Sequence, residues 1–232
     1  MREILGRRRR LLSKRNGGRP DQIGAALGFA TGWRWPVLPG VGGAESGSTG
    51  CACPDPECPV PAAHPFDPGL LAATTDERMV RWWWTNRPTA PIVLATGAPG
   101  PCAVSLPAES AAGALAQLER GAVRLGPVVA APDRWTFLVA PYSMARLGEL
   151  LYAKDWVPGS LRFHSEGGYV VLPPSRTATG EVRWERGPGT DAGARGAGAP
   201  PAGEAPWLPQ VESLVDVLVE TLTRTGVSAP EF

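Results

Sequence analysis

At 232 residues, with 43% hydrophobic residues and a formal net charge of +1, the chain has the size and apolar content of one globular domain. It contains no run of about eighteen apolar residues, which excludes a membrane-spanning helix, and its basic N-terminus lacks the apolar segment of a secretion signal. Three of the four cysteines fall between positions 51 and 58, which is typical of a metal site or of reduced, packed thiols rather than of a disulfide framework. We therefore expect a cytoplasmic protein with no membrane partner.

Most of the unbalanced positive charge lies at the N-terminus. Residues 1–19 contain eight basic side chains and one acidic side chain, whereas the remainder contains 15 basic and 21 acidic ones. A basic tail on an acidic body attracts nucleic-acid phosphates by releasing counterions. Two alternatives stay open, a solvated and disordered terminus or a start codon assigned too early. The candidate nucleic-acid-binding residues are Arg7, Arg8, Arg9, Arg10, Lys14 and Arg15.

Between residues 20 and 186 the hydrophobic pattern predicts alternating helices and strands. Asp21, Asp76 and Ser143 are N-cap residues that open helices, and Pro107 opens another. The predicted strands span residues 35–38, 92–95, 102–106, 135–140, 161–164 and 169–172, with an edge strand at 182–185. This order predicts an α/β or α+β fold, a single domain with a central mixed sheet flanked by helices.

The C-terminal part divides into two segments. Residues 187–206 are rich in glycine, alanine and proline, and we predict a disordered insert there. Residues 207–225 form a predicted amphipathic helix that packs on the domain. Its apolar face consists of Val211, Leu214, Val215, Leu218, Val219 and Leu222.

The segment 51–64 carries a candidate metal site with the spacing C-x-C-x4-C-x5-H. Three thiolates and one imidazole fill the tetrahedral shell of Zn²⁺, so such a site is structural and not catalytic. The alternative is a loop stiffened by prolines whose thiols are buried without metal. The candidate ligands are Cys51, Cys53, Cys58 and His64.

Three consecutive tryptophans follow the Asp76 cap. Indole rings can stack on unpaired bases, but positions 82–84 span about 200° of helix surface and cannot form one platform. We therefore expect at least two of the three side chains to pack into the core.

Five segments in order resemble the bifunctional DNA primase/polymerase family, a branch of the archaeo-eukaryotic primases. They are G-W-R-W-P-V-L-P at 32–39, the Cys/His loop, T-T-D-E-R-M-V-R-W-W-W-T-N-R-P, I-V-L-A-T-G ending at Gly97, and E-G-G-Y-V-V-L-P-P-S at 166–175. The resemblance covers roughly residues 20–225 and suggests a member of actinobacterial type. It implies a fold of the primase/polymerase kind, with one departure in the Cys/His loop, where Ala63 replaces a lysine of the family.

The catalytic residues that the resemblance implies are missing. Nucleotidyl transfer requires carboxylates that hold two divalent metals about 4 Å apart. The family's Asp-x-Asp pair falls on Ser105 and Pro107, its nucleotide-contacting histidine near Trp135, and its third acidic residue near Arg162. Glu109, Asp133 and Glu166 are near in sequence, but none is well placed to replace a strand-borne pair. Serine and proline cannot hold Mg²⁺ as carboxylates do.

These observations favour a catalytically degenerate primase/polymerase-like protein that binds nucleic acid or nucleotides, or assists a partner. Its partners would be DNA or single-stranded nucleic acid, and replication-associated proteins. The first alternative is an active primase/polymerase with displaced carboxylates, which would use Mg²⁺. The second is a structural zinc protein without a connection to nucleic acid.

Overall fold

The computed structural model describes residues 21–43, 50–188 and 204–225. The helices in these ranges are α1 (Gln22–Leu27, continued by a π-helical turn, Gly28–Gly32), α2 (Glu77–Asn86), α3 (Ala108–Arg120), α4 (Met144–Tyr152) and α5 (Glu212–Thr225). The strands are β1 (Val37–Pro39), β2 (Ile92–Ala95), β3 (Cys102–Pro107), β4 (Val128–Ala130), β5 (Arg134–Val139), β6 (Arg162–His164), β7 (Tyr169–Leu172), β8 (Ser175–Thr177) and β9 (Gly180–Arg186). No helix in the described ranges has the length and apolar character needed to cross a bilayer.

All three predicted N-caps are confirmed. The carboxylates of Asp21 and Asp76 each accept a backbone N–H from three residues further on, at 3.0 and 2.8 Å. The Ser143 hydroxyl accepts the equivalent N–H of α4 at 3.1 Å. Each cap satisfies a first-turn donor that has no carbonyl partner within its helix. Local chemistry therefore fixes where these helices begin.

The described strands form two sheets, ordered β1-β2-β7 and β6-β3-β5-β4-β9-β8, and every pair is antiparallel. The predicted α+β class is confirmed, but two antiparallel sheets replace the predicted central mixed sheet. The turn at Gly167 and Gly168 accounts for the difference, because it leads the chain from β6 in one sheet to β7 in the other. The Thr96 N–H donates to the Gly168 carbonyl at 2.9 Å and ties this turn to the end of β2.

The C-terminal helix is shorter than predicted. It begins at Glu212 and not at 207. Pro209 has no N–H and restricts the residue before it, so the helix cannot extend back through this position. Its carbonyl instead accepts the Ala140 N–H at 2.8 Å. The sequence pattern also missed the short strands β4 and β8, which lack a clear alternation of their own.

Two apolar cores lie on opposite faces of the six-stranded sheet. One joins that sheet to α1, α2 and the three-stranded sheet, and the other lies beneath α3 and α5. The expectation for the tryptophan triplet is confirmed, since Trp83 and Trp84 are 5% and 1% exposed while Trp82 is 59% exposed. The Trp84 indole N–H donates to the Ala90 carbonyl at 3.1 Å, which satisfies its buried polar atom.

Candidate functional site

The β3 strand brings several polar side chains to one face of the six-stranded sheet. Ser105 is paired with Arg162 on β6 and with Thr136 on β5, while Pro107 is paired with Arg134. Residues directly opposite each other in an antiparallel pair project to the same face. His164 joins this face because it is paired with Ala103, two positions before Ser105. We call the group Ser105, Arg134, Arg162 and His164 the β3 polar cluster.

A chain of hydrogen bonds links three members of the β3 polar cluster. The Arg134 Nε–H donates to Ser105 Oγ at 3.0 Å, and Ser105 Oγ lies 2.8 Å from His164 Nε2. The tautomer of His164 decides which of these two atoms donates, because the Ser105 hydroxyl can both donate and accept. The Arg134 Nη2 group also donates to the carbonyl of Ser105, at 2.9 Å, and to that of Ser160. These bonds fix the guanidinium against β3.

Burial and charge keep the imidazole neutral. Burial, followed by the positive charges of Arg134 and Arg162, lowers the pKa of His164 to about 4. Burial and the charge of Arg162 also lower the pKa of Arg134, to about 10, so this guanidinium is still protonated near neutral pH. The β3 polar cluster therefore carries two positive charges and a neutral histidine at pH 7.

The three acidic residues considered as replacements for the family's carboxylates lie in separate places. Glu109 is exposed in the first turn of α3, and Glu166 lies in the β6–β7 turn against Gly97. The Asp133 carboxylate accepts the Thr179 hydroxyl at 2.9 Å. Among the described residues, the one group of three or more His, Cys, Asp or Glu side chains close enough to share a metal is the Cys/His loop. The β3 polar cluster holds no such set.

The four sequence-derived catalytic positions do not all meet. Ser105, Pro107 and Arg162 share the face of the β3 polar cluster. Trp135 is paired with Leu106 and packs with it in the core beneath α3 and α5, on the opposite face. A strand alternates its side chains, so the neighbouring Arg134 projects toward Ser105 instead.

Sequence reasoning missed Arg134 and His164. His164 lies 59 positions after Ser105, and no local pattern relates the two residues. The sequence did contain one signal, the alternation of polar and apolar residues along this strand. Arg134 and Thr136 flank the apolar Trp135, which indicates that the two polar side chains share one face. Only the pairing of β3 with both β5 and β6 turns that signal into a site.

The predicted metal ligands do come together. The ligand atoms of Cys51, Cys53, Cys58 and His64 all lie within 4.8 Å of one another. His64 Nε2 is 3.4 Å from the sulfur of Cys51 and 3.3 Å from that of Cys58. Tetrahedral zinc, with Zn–S near 2.3 Å and Zn–N near 2.0 Å, separates its ligand atoms by roughly 3.5 to 3.8 Å. The cluster can therefore hold a metal ion such as zinc.

Further hydrogen bonds orient the ligands of the Cys/His loop. His64 Nδ1 lies 2.9 Å from the Pro65 carbonyl, an acceptor that fixes the proton on Nδ1 and leaves Nε2 facing the sulfurs. Cys51 forms an isolated β-bridge with Gly43, and the Val41 N–H donates to the His64 carbonyl at 2.9 Å. Both ends of the loop are thus tied to the segment that follows β1.

The thiols of the loop differ in acidity. Burial favours the neutral form of Cys51, but backbone hydrogen bonds from Ala62 and Cys53 outweigh it and lower the pKa of Cys51 to about 6. Burial and the neighbouring Cys53 and Cys51 groups raise the pKa of Cys58 to about 11. Three thiolates so close together repel one another, and a divalent cation removes that conflict.

An apolar groove of about 410 Å³ opens beside the Cys/His loop. Its walls include Pro59, Val60, Phe66 and Tyr169, and the Phe66 side chain is 54% exposed. Tyr169 begins β7, immediately after the turn that follows His164. The segment 164–169 therefore connects the two sites: His164 belongs to the β3 polar cluster, and Tyr169 lines the groove.

The basic residues Arg7, Arg8, Arg9, Arg10, Lys14 and Arg15 lie outside the described residues. Their proposed contact with nucleic acid rests on the sequence alone.

Comparison with known families identifies the chain. It matches the family model described as bifunctional DNA primase/polymerase, N-terminal, over residues 26–206, more than three quarters of its length. No curated protein matches it. The matched range includes the Cys/His loop and every strand of both sheets. The chain belongs to the bifunctional DNA primase/polymerase family.

Proposed function

We propose that this chain is a catalytically degenerate primase/polymerase domain that binds nucleotides or nucleic acid and does not transfer nucleotides. The observation that carries this proposal is the β3 polar cluster. Arginine, serine and histidine side chains occupy the sheet face where the family resemblance places metal-binding carboxylates. Two guanidinium groups repel divalent cations and cannot act as their ligands.

The direct test is template-directed synthesis. We expect the purified protein neither to extend a primer nor to make one de novo with Mg²⁺ or Mn²⁺, because the β3 polar cluster contains no carboxylates for the two metals that clamp the attacking and leaving oxygens. Incorporation of labelled deoxynucleotides on a primed and an unprimed template measures both activities. An active primase/polymerase assayed in parallel is the positive control.

Template-dependent incorporation would contradict the proposal and favour the alternative of an active enzyme with displaced carboxylates. Glu109→Ala, Asp133→Ala and Glu166→Ala would then identify the acidic residue responsible. A loss of incorporation in one of these variants would show that the metals bind away from Ser105.

We further propose that the Cys/His loop holds structural zinc. Three sulfurs and one imidazole nitrogen leave no open coordination position for a substrate. The geometry that supports this is the mutual approach of all four ligand atoms to within 4.8 Å. In the alternative of a purely structural zinc protein, this site would be retained and the β3 polar cluster would bind nothing.

The N-terminal tail is proposed to add a sequence-independent attraction to nucleic acid. Its charge neutralises phosphates, and such binding weakens as salt rises. A salt titration of oligonucleotide binding measures this contribution. We also propose that the protein acts in the cytoplasm beside replication-associated proteins; its family membership supports a connection with nucleic acid.

A further inference from the structure

The two arginines of the β3 polar cluster, Arg134 and Arg162, form no ion pair with any carboxylate of the described residues. The Nε and Nη2 groups of Arg134 donate to Ser105 and Ser160, and its Nη1 group has no acceptor within residues 21–43, 50–188 and 204–225. The side chain of Arg162, on the edge strand β6, forms neither a hydrogen bond nor an ion pair within the same ranges. Arg134 is partly buried and Arg162 is exposed, and two guanidinium charges that act on each other in one place favour a bound anion.

The chemistry of the surrounding groups selects phosphate among anions. Guanidinium groups present planar, paired N–H donors that match the oxygens of a phosphate. The Ser105 hydroxyl and the neutral His164 ring add no negative charge that would repel it. Arg134 is held rigidly by three hydrogen bonds, so little side-chain freedom is lost when a ligand binds.

The β3 polar cluster is linked to the apolar groove by a hydrogen bond between the His164 ring and the backbone of Tyr169. The Tyr169 side chain lines the groove. Phe66 and the loop prolines complete an aromatic and apolar wall of the kind on which nucleobases stack.

We propose that Arg134 and Arg162 bind the phosphate of a nucleotide directly, without a divalent cation, while the base lies in the groove between Phe66 and Tyr169. This inference deepens the proposed function and rests on it. In a two-metal polymerase, metal ions provide the positive charge that faces the phosphates. Here the two guanidinium groups provide that charge. The site binds and positions its ligand, and no bond is made or broken.

The test measures binding of dATP and of a short oligodeoxyadenylate to the full chain by calorimetry. It is run with and without added Mg²⁺ and without chelators, which would strip the Cys/His loop. We expect equal affinity in both conditions. Arg162→Ala should weaken binding about tenfold or more, since a charge-assisted phosphate contact is lost. Arg162→Lys should recover part of it. Arg176→Ala is the matched control, because Arg176 is an exposed arginine on β8 at the opposite edge of the same sheet.

Each outcome decides a different point. Arg162-dependent binding of either probe without Mg²⁺ supports the inference, and the probe with the higher affinity shows whether the phosphate belongs to a free nucleotide or to a strand. Binding that requires Mg²⁺, equal losses in Arg162→Ala and Arg176→Ala, or no binding of either probe would overturn it. The proposed function fails separately, through template-directed synthesis by the wild-type chain.

Discussion

Removal of zinc from the Cys/His loop is expected to lower the melting temperature by roughly 6–12 °C. A metal bound by Cys51 and His64 closes a loop of fourteen residues, and a cross-link around a loop of this size stabilises the folded state by about 3 kcal/mol. For a domain of 150–250 residues each kcal/mol corresponds to about 2–4 °C. Differential scanning fluorimetry before and after chelation, together with metal analysis after gel filtration, measures both quantities.

Two cysteine variants test the assignment of the zinc ligands, one within the loop and one outside it. Cys58→Ser removes a ligand and should reduce the zinc content from about one atom per chain to near zero. Cys102→Ala alters a buried cysteine on β3 that lies outside the loop, so it should leave the zinc content unchanged. A wild-type protein that is isolated without zinc, and whose melting is indifferent to chelators, would eliminate the metal site.

As the pH is lowered from 6.5 to 4, the protonation of His164 in the unfolded chain is expected to lower the free energy of unfolding by up to about 3 kcal/mol. The folded protein holds the pKa of His164 at about 4, below its ordinary value of 6.5. Between these values the unfolded chain binds a proton that the folded chain does not, so acid favours unfolding. Each pH unit of separation corresponds to about 1.4 kcal/mol.

Urea unfolding across this pH range measures the effect. His164→Gln keeps a polar group opposite Ser105 but cannot titrate, so its stability should decline less steeply with acid than that of the wild type. The carboxylates titrate in both proteins and cancel in the comparison. Parallel stability curves for the two proteins would show that His164 is not held neutral by the β3 polar cluster.

The parts of this fold that sequence predicts well are those set by short-range chemistry. Asp21, Asp76 and Ser143 cap their helices because the acceptor and the donor lie three residues apart. The Cys/His ligands lie within fourteen residues and are confined by prolines, so their convergence also follows from local spacing.

Only two of the four residues of the β3 polar cluster could be predicted, because the cluster depends on contacts between residues far apart in the chain. Ser105 and Arg162 were found through the resemblance to the family pattern. Arg134 and His164 join them only through strand pairing across 29 and 59 positions of the chain, and sequence does not specify that register. Trp135 illustrates the same limit, because a shift of one residue decides which face of β5 a side chain occupies.

The absence of carboxylates from the β3 polar cluster leads to a specific expectation for ligand binding. A domain of this family with serine, proline and arginine at the expected positions of the metal ligands should recognise phosphate and leave it intact. The groove beside Tyr169 fits the same account, since it offers a surface that a base can contact.

The most direct test is a crystal structure grown with dATP and Mn²⁺, with diffraction measured above and below the manganese absorption edge. We predict phosphate density against Arg134 and Arg162 and no manganese signal at the β3 polar cluster. Two manganese peaks about 4 Å apart, bound by carboxylates next to the phosphates, would contradict the account and establish a two-metal active site.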